Sequence, residues 1–548
     1  MLNDSNKKLP LNKIIREQEE KRSEERAQKE GHPYVNLATT PIDREAVILL
    51  TKKQSQEAKV AIVQKVGKRL EIVVESSVYP KTQDLLKKLE SQGYSLDIFI
   101  GSETSLQKAW QIYETYTKPK ESLKGSFSLD KNLIQDLKQG INDLTSLKTK
   151  ILSPATSEVL SIVIAGAYFS KASDIHFEPQ NEVVKLRYRV DGVLHDIVDL
   201  KKESYDHVVN RVKILSGLKI NIHNVNQDGR FSFDMPEEQE GSKKIDVRVS
   251  VLPEAFGETI VMRLLGTGAV GLEIESLGVR EKDLNKIREA LSQPNGLVLT
   301  TGPTGSGKTT TLYSFIKHIN KPEIKIITAE DPIEYQISGV TQSQIDSKEG
   351  YGFAQALKAI VRQDPDVILV GEIRDRETAD TAIQASLTGH LVFSTLHTND
   401  AAGAIPRLRD LGAEEKSVTS ALKLVIAQRL VRRLCDHCKE EYEPSPEEKE
   451  KIKQQLTSLS GHENIPEITK LYKAKGCEKC LGLGYQGRIG IFEVFVINPE
   501  VEKLILSRAT HTDILDLLKK QGFITMTQDG LLKVIKGITS LEEVERVT

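Results

Sequence analysis

One segment restricts this chain more than any other. The apolar run Leu297-Val-Leu-Thr-Thr301 empties into Gly302-Pro303-Thr304-Gly305-Ser306-Gly307-Lys308-Thr309-Thr310, and a helix-length stretch follows. The spacing is G-x-x-x-x-G-K-[ST] in its required context of strand, loop and helix. Glycines let successive backbone N–H groups curl round a phosphate, the lysine reaches the β/γ-phosphates, and a hydroxyl at the next position can ligate Mg²⁺. Residues 302–310 are therefore the expected contacts for ATP and Mg²⁺. A loop of this kind sits at the carboxyl end of a parallel strand, so the rest of the sheet should be built around Leu297–Thr301.

Three more continuous apolar runs meet that expectation: Ile324-Lys-Ile-Ile-Thr328, Val367-Ile-Leu-Val370 and Leu391-Val-Phe-Ser-Thr395, separated by helix-length segments. Strands apolar on both faces with long crossovers predict a parallel sheet covered by helices on both sides. The domain is placed at residues 281–548. Two of these strands run into acidic residues, Glu330-Asp331-Pro332-Ile333-Glu334 and Gly371-Glu372-Ile373-Arg374-Asp375. Hydrolysis needs one group to orient or deprotonate water and another to help hold Mg²⁺, and Glu330 and Glu372 are the candidates. Gly371 precedes Glu372 where an aspartate is usual, so the metal contact there is expected through water. Asp331 and Asp375 either act directly or cap a helix or turn. His390 and His397 bracket the fourth strand roughly 23 Å apart, too far to share one metal. His397, at the carboxyl end, is the candidate for sensing the γ-phosphate.

The four cysteines form Cys435-Asp-His-Cys438 and, 38 residues later, Cys477-Glu-Lys-Cys480. Two C-x-x-C knuckles that use every cysteine fit a closed, tetrahedral, structural zinc site, with a disulfide or redox pair as the alternative. His437 is a spare ligand for a site that four thiolates already fill.

Upstream, residues 1–30 carry 15 charged side chains and read as a charged helical or disordered arm. Apolar clusters between 31 and 118 predict a small α/β domain. Residues 119–150 read as a linker, since Lys118–Asp130 is polar and broken by Pro and Gly. A second domain, 151–280, opens with a helix through Val159–Ala167 and continues in short strands. In Lys185-Leu-Arg-Tyr-Arg-Val190 alternation puts the cations on one face and Leu186, Tyr188 and Val190 on the other. Arg187, Arg189 and Arg230 make a solvated cationic face, or else Arg189 and Arg230 reach a neighbouring subunit's nucleotide as arginine fingers.

Composition narrows the class. With 76 Lys plus Arg against 78 Asp plus Glu, the net charge of −2 supplies no excess for holding a phosphate backbone, and stable nucleic-acid binding is not expected. No run approaches the roughly 18 apolar residues of a membrane helix, and no secretory h-region is visible at the N-terminus. A cytoplasmic protein is expected.

Over residues 150–500 the motifs together resemble the secretion ATPases of type II secretion systems and type IV pilus assembly. The resemblance rests on Ala172-Ser-Asp-Ile-His-Phe-Glu-Pro179, Arg187-Tyr-Arg-Val-Asp-Gly192, the phosphate loop, and Ile327-Thr-Ala-Glu-Asp-Pro-Ile-Glu-Tyr335. It rests also on Arg362-Gln-Asp-Pro-Asp366 with Val370–Asp375, Thr388-Gly-His390 through Thr395-Leu-His-Thr-Asn399, and the paired C-x-x-C. The family's "Asp box" looks like Ile326–Glu334, its Walker B like Val367–Glu372 and its "His box" like Thr388–Leu408. The resemblance implies a homohexamer in which a PAS-like domain (151–280) and a RecA-like domain (281–548, with a zinc subdomain at 435–480 and C-terminal helices) move as ATP is hydrolysed between them. It implies that Glu330 and Glu372 are both essential for hydrolysis. It further implies a polytopic platform protein in the prokaryotic inner membrane as partner, the ATPase being held peripherally at its cytoplasmic face, and a pilus or pseudopilus as product. The duplicated Arg-Leu-Gly pattern by which some relatives bind cyclic di-GMP is not found in the sequence. Two other readings stand beside the motor: a nucleotide-gated scaffold with negligible turnover, and a type IV secretion-like translocation ATPase.

Overall fold

The charged arm forms a helix, Lys8–Glu30. The computed structural model describes residues 8–548 except 38–39, 41, 48, 67, 116–125, 130–133, 136, 138–143, 153–158, 237–241, 267–271, 347–348, 460–462 and 464. In the unit Met1–Ser122, Ser23 and Ala27 of this helix are buried. Glu19 accepts from the Thr104 N–H (3.1 Å) and Glu20 from the Ser102 hydroxyl (2.8 Å), at the start of helix Glu103–Trp110. Glu30 accepts from the Ser76 hydroxyl and the Ser77 N–H. Burial opposes the Glu30 charge, yet these donors outweigh it and hold the carboxyl below its usual range. One side of the arm is thus tied down by these contacts, while Gln18, Lys21, Arg22, Glu24, Glu25, Gln28 and Lys29 stay exposed. Behind it lies a three-stranded sheet: β1 (Val60–Val66) antiparallel to β2 (Arg69–Val74), and β3 (Ser95–Ile100) parallel to β2 across helix Pro80–Ser91.

The unit Leu123–Thr548 contains two seven-stranded sheets. The first has the order β4-β8-β9-β10-β5-β6-β7. Its strands are β4 (Ser126–Ser128), β5 (Ala172–Pro179), β6 (Val183–Val190), β7 (Val193–Lys201), β8 (Gln227–Pro236), β9 (Ser242–Glu254) and β10 (Gly257–Leu265). Along β6, Leu186, Tyr188 and Val190 are buried while Lys185, Arg187 and Arg189 face the other way, as alternation predicts. The buried face packs on helix Val159–Phe169, to which Tyr188 donates through its hydroxyl at the Val163 carbonyl (2.7 Å). The linker expected at 119–150 is corrected here. Part of it lies outside the described residues, but β4 pairs with β8, and Phe127, Leu129, Ile134, Leu137 and Leu147 are buried in this sheet's core. A polar composition broken by Pro and Gly hid apolar residues spaced widely enough to anchor the stretch.

The second sheet is the predicted parallel one, extended. It contains β11 (Gly296–Thr301), β12 (Ile326–Glu330), β13 (Val340–Gln344), β14 (Val367–Val370), β15 (Leu391–Leu396) and β16 (Leu422–Leu434). After the short strands β17 (Glu440–Tyr442) and β18 (Leu471–Lys473), which form a ribbon of their own, β19 (Tyr485–Val496) completes it. The order is β13-β12-β14-β15-β11-β16-β19, parallel except for the antiparallel pair β16/β19. Every residue of β11, β12, β14 and β15 is buried, so helices cover both faces. Phe315 and Phe393 meet edge to face beneath the loop, each buried ring contributing about 1.5–3 kcal/mol. The C-terminal helix Leu541–Val547 is clamped by fully buried Glu543, which pairs with Arg432 and Arg546. Burial works against that carboxylate, but the two guanidinium groups bring it down to about 2.

Candidate active site and four-cysteine centre

Strand β11 delivers the chain into the phosphate loop, and helix Lys308–Ile319 starts on its far side. Gly302, Gly305 and Gly307 all have positive φ (143°, 80° and 92°). A Cβ on Gly302 would lie 2.5 Å from the Gln428 carbonyl oxygen, and one on Gly307 2.7 Å from Gln428 Nε2, so only glycine fits at these two positions. Buried Gln428, on β16, staples the loop: its Nε2 donates to the Ser306 carbonyl and its Oε1 accepts from the Thr311 hydroxyl, each at 2.7 Å. Lys308 Nζ donates to the carbonyls of Gly302 (2.7 Å) and Pro303 (3.1 Å), and burial pulls its ammonium below the usual lysine range while Glu372 partly offsets this. Pro303, Thr304, Gly305 and Thr309 are exposed on the loop and its first helical turn, with Thr310 half-buried beside them. The Ser306 hydroxyl is buried with no hydrogen-bond partner among the described residues. A cradle of N–H groups without room for side chains, a cation and an unpaired hydroxyl fit a nucleotide's phosphates, and the exposed Thr309 offers a hydroxyl that could ligate Mg²⁺.

The ends of β14 and β15 converge on the same place. Glu372 follows β14, and its Oε2 lies 3.4 Å from His397 Nε2, one residue beyond β15. Its Oε1 pairs with Arg374 at 2.5 Å, a partner that spacing alone did not single out. Behind His397, the Thr398 N–H and hydroxyl bond to Thr301 Oγ1 (2.9 and 2.8 Å), locking the end of β15 to the end of β11. Lys308, Glu372 and His397 therefore form one cluster. Glu330, at the end of β12 beside the end of β14, is buried and bonded to Tyr313, Thr328 and Gln342. Asp375 caps helix Arg376–Leu387 through the Thr378 N–H (2.8 Å), the structural reading of that residue. His390, at the opposite end of β15, bonds to the Ala385 carbonyl.

Arg189 and Arg230 lie on the first sheet, and among the described residues no contact joins either to the phosphate loop. Register places them in a row that spacing alone did not reveal: Arg230 opposite Arg248, Arg248 opposite Arg263, Arg263 opposite Asp174, and Asp174 opposite Arg189. Asp174, almost fully buried, accepts from Arg263 Nε at 2.8 Å and faces Arg189 Nε at 3.5 Å. Arg189 also donates to the Gly192 carbonyl, bracing a turn whose Asp191 accepts from the Gly487 N–H. Within the row one carboxylate meets four guanidiniums, and Asp228 and Asp246 share the exposed face with Arg230 and Arg248.

The two cysteine knuckles come together although 38 residues separate them. Their four sulfurs lie within 4.8 Å of one another, with Cys435–Cys477 at 3.9 Å and Cys438–Cys480 and Cys477–Cys480 at 3.7 Å. A tetrahedron of thiolates about 2.3 Å from a zinc ion has edges of roughly 3.8 Å, whereas a disulfide needs about 2.05 Å. The donor set fits a metal ion and not a disulfide pair. Burial pushes the Cys435 and Cys438 thiols up, with neighbouring thiols adding to the rise at Cys438, while hydrogen bonds to the Cys477 sulfur outweigh its burial and bring it down to about 7.

Comparison with known proteins agrees with this geometry. The family model described as "Type II/IV secretion system protein" matches residues 152–546. The type IV pilus assembly ATPase PilB of Thermus thermophilus is 38% identical over 517 residues, covering 94% of this chain but 56% of the relative, so the chain spans little more than half that protein's length. The type II secretion system ATPase E of Vibrio cholerae is 44% identical over 391 residues, covering 71% of this chain and 75% of the relative. Among solved structures, the Legionella pneumophila ATPase DotB superposes with a TM-score of 0.51 at 21% identity, covering 72% of this chain and 96% of that one, which is a likeness of fold.

Proposed function

The chain belongs to the type II/IV secretion system protein family, and from that footing we propose that it is an ATP-hydrolysing motor for assembly of a type IV pilus or a type II secretion pseudopilus. The observation that carries this reading is the convergence of Lys308, Glu372 and His397 at the carboxyl ends of β11, β14 and β15. Loop N–H groups and Lys308 bind the β/γ-phosphates. Glu372, held between Arg374 and His397, orients and deprotonates the attacking water, and His397 reports whether the γ-phosphate is present. Thr309 directly, and Glu372 through water, hold Mg²⁺, which when bound neutralises charge on the phosphate oxygens. Glu330 completes the acidic set from β12. The four cysteines hold zinc as a closed structural site.

The working form is a homohexamer in which the first sheet acts as the PAS-like domain and the second as the RecA-like motor. The Arg230–Arg248 end of the row reaches the nucleotide of the next subunit. No described helix is long and apolar enough to cross a membrane. In this reading the motor acts on a polytopic platform protein from the cytoplasmic face of the inner membrane. Subunit mixing tests this. Arg230→Ala or Arg248→Ala is expected to lower phosphate release by about 10³-fold or more. Mixing either with Lys308→Ala subunits should restore activity, because roughly one interface in four then pairs an intact loop with an intact arginine row. Variants that stay inactive at every ratio would place these arginines outside the neighbouring site.

A further inference from the structure

Glu330 is buried, at 4% exposure, and its three donors come from a helix, its own strand and the neighbouring strand. Tyr313, five residues after Lys308 on the helix that leaves the phosphate loop, donates its hydroxyl to Glu330 Oε2. The Thr328 hydroxyl, on the same strand, donates to Oε1 at 2.5 Å. Gln342 Nε2, from the neighbouring strand β13, donates to Oε1 at 3.2 Å. An ionised carboxylate offers about four acceptor positions, and three donors leave one direction open. Such an arrangement fixes where that direction points.

The two outer donors are themselves held. The Tyr313 ring meets Tyr335 edge to face, centroids 4.7 Å apart and planes at 82°. Gln342 bridges the β12–β13 crossover, its Nε2 donating to the Tyr335 carbonyl (3.1 Å) and its Oε1 accepting from the Ile337 N–H (2.8 Å). A side chain with this many fixed partners gives its neighbour one orientation. Along a helix rising about 1.5 Å per residue, Tyr313 lies roughly 7.5 Å from Lys308, so the element that carries the phosphate lysine also aims the acid.

We propose that Tyr313 and Gln342 are positioning residues for Glu330: they aim its remaining lone pair at the attacking water that Glu372 deprotonates, and contact no nucleotide themselves. This rests on the ATP-hydrolysis reading. An aiming role affects the transition state more than ground-state binding, so it appears in kcat and not in KM. Tyr313→Phe keeps the ring against Tyr335 and removes only the hydroxyl. Gln342→Met keeps the length and removes the amide.

The test measures steady-state phosphate release over a range of ATP concentrations for the full-length zinc-loaded protein and both variants, with thermal midpoints and fluorescent-ATP affinity alongside. Tyr313→Phe should lower kcat by about ten- to a hundredfold and Gln342→Met by about three- to tenfold, with KM and nucleotide affinity changed less than about threefold. A Tyr313→Phe protein with normal melting and kcat within about twofold of wild type overturns the inference, as does a raised KM at unchanged kcat. Should Tyr313→Phe melt early, Gln342→Met decides by the same criteria. A wild-type protein no more active than Lys308→Ala would instead overturn the hydrolysis reading, and this inference with it.

Discussion

Glu372→Gln is expected to bind ATP and barely turn it over. Glutamine keeps the size of the side chain, so the pocket between Arg374 and His397 should stay closed. It cannot take a proton from water, and a positioned general base is worth roughly 10²- to 10⁴-fold. Lys308→Ala acts differently. The ammonium is the cation the loop presents, and its loss should abolish tight ATP binding together with turnover. Phosphate release measured beside equilibrium binding of a fluorescent ATP analogue separates the two variants. Unchanged turnover in both would remove the motor reading, and tight binding without release in the wild type would favour the nucleotide-gated scaffold.

The second large effect is removal of metal from the cysteines. Within residues 435–484, Ile452, Leu456, Leu459, Ile468 and Leu471, on and around helix Pro446–Leu456 and the β17/β18 ribbon, are buried in the core, but the two knuckles themselves, 435–438 and 477–480, bury only Cys435 and Cys480 and have no apolar core of their own. A structural zinc site contributes on the order of 10 kcal/mol of apparent binding free energy, against about 0.5–3 kcal/mol for most single substitutions. Stripping the metal, or Cys480→Ser, should therefore loosen the two knuckles and open them to protease while helix Pro446–Leu456 and β11 to β15 persist. Metal analysis should give about one zinc per chain with all four thiols protected from alkylation. Purified reduced protein with no metal and four reactive thiols would contradict the assignment.

How far the sequence reveals this molecule depends on how local each signal is. The phosphate loop is legible because strand, glycines, lysine and helix are contiguous, and the four apolar strands because both faces are buried. Strand β13, Val-Thr-Gln-Ser-Gln, lies at the sheet edge with no apolar run to mark it. Gln428 carries its own signal: an amide directly after the apolar run Leu424–Ala427, where a buried polar group needs a partner. The same holds for Arg248 in Asp246-Val-Arg-Val-Ser250, which alternates as Lys185–Val190 does. Its place between Arg230 and Arg263 is a matter of register across three strands, and no single segment records register. Glu330 was legible as a candidate, but its donors Tyr313 and Gln342 come from elements brought together by the sheet order.

The central claim, hydrolysis at sites completed between subunits, is tested most directly by the specific ATPase activity of purified, zinc-replete protein over a range of protein concentrations, with Lys308→Ala as the blank. The account predicts activity per chain that rises with concentration, levels off as rings form, and is absent from the blank. Activity per chain independent of concentration, or indistinguishable from Lys308→Ala throughout, would contradict it.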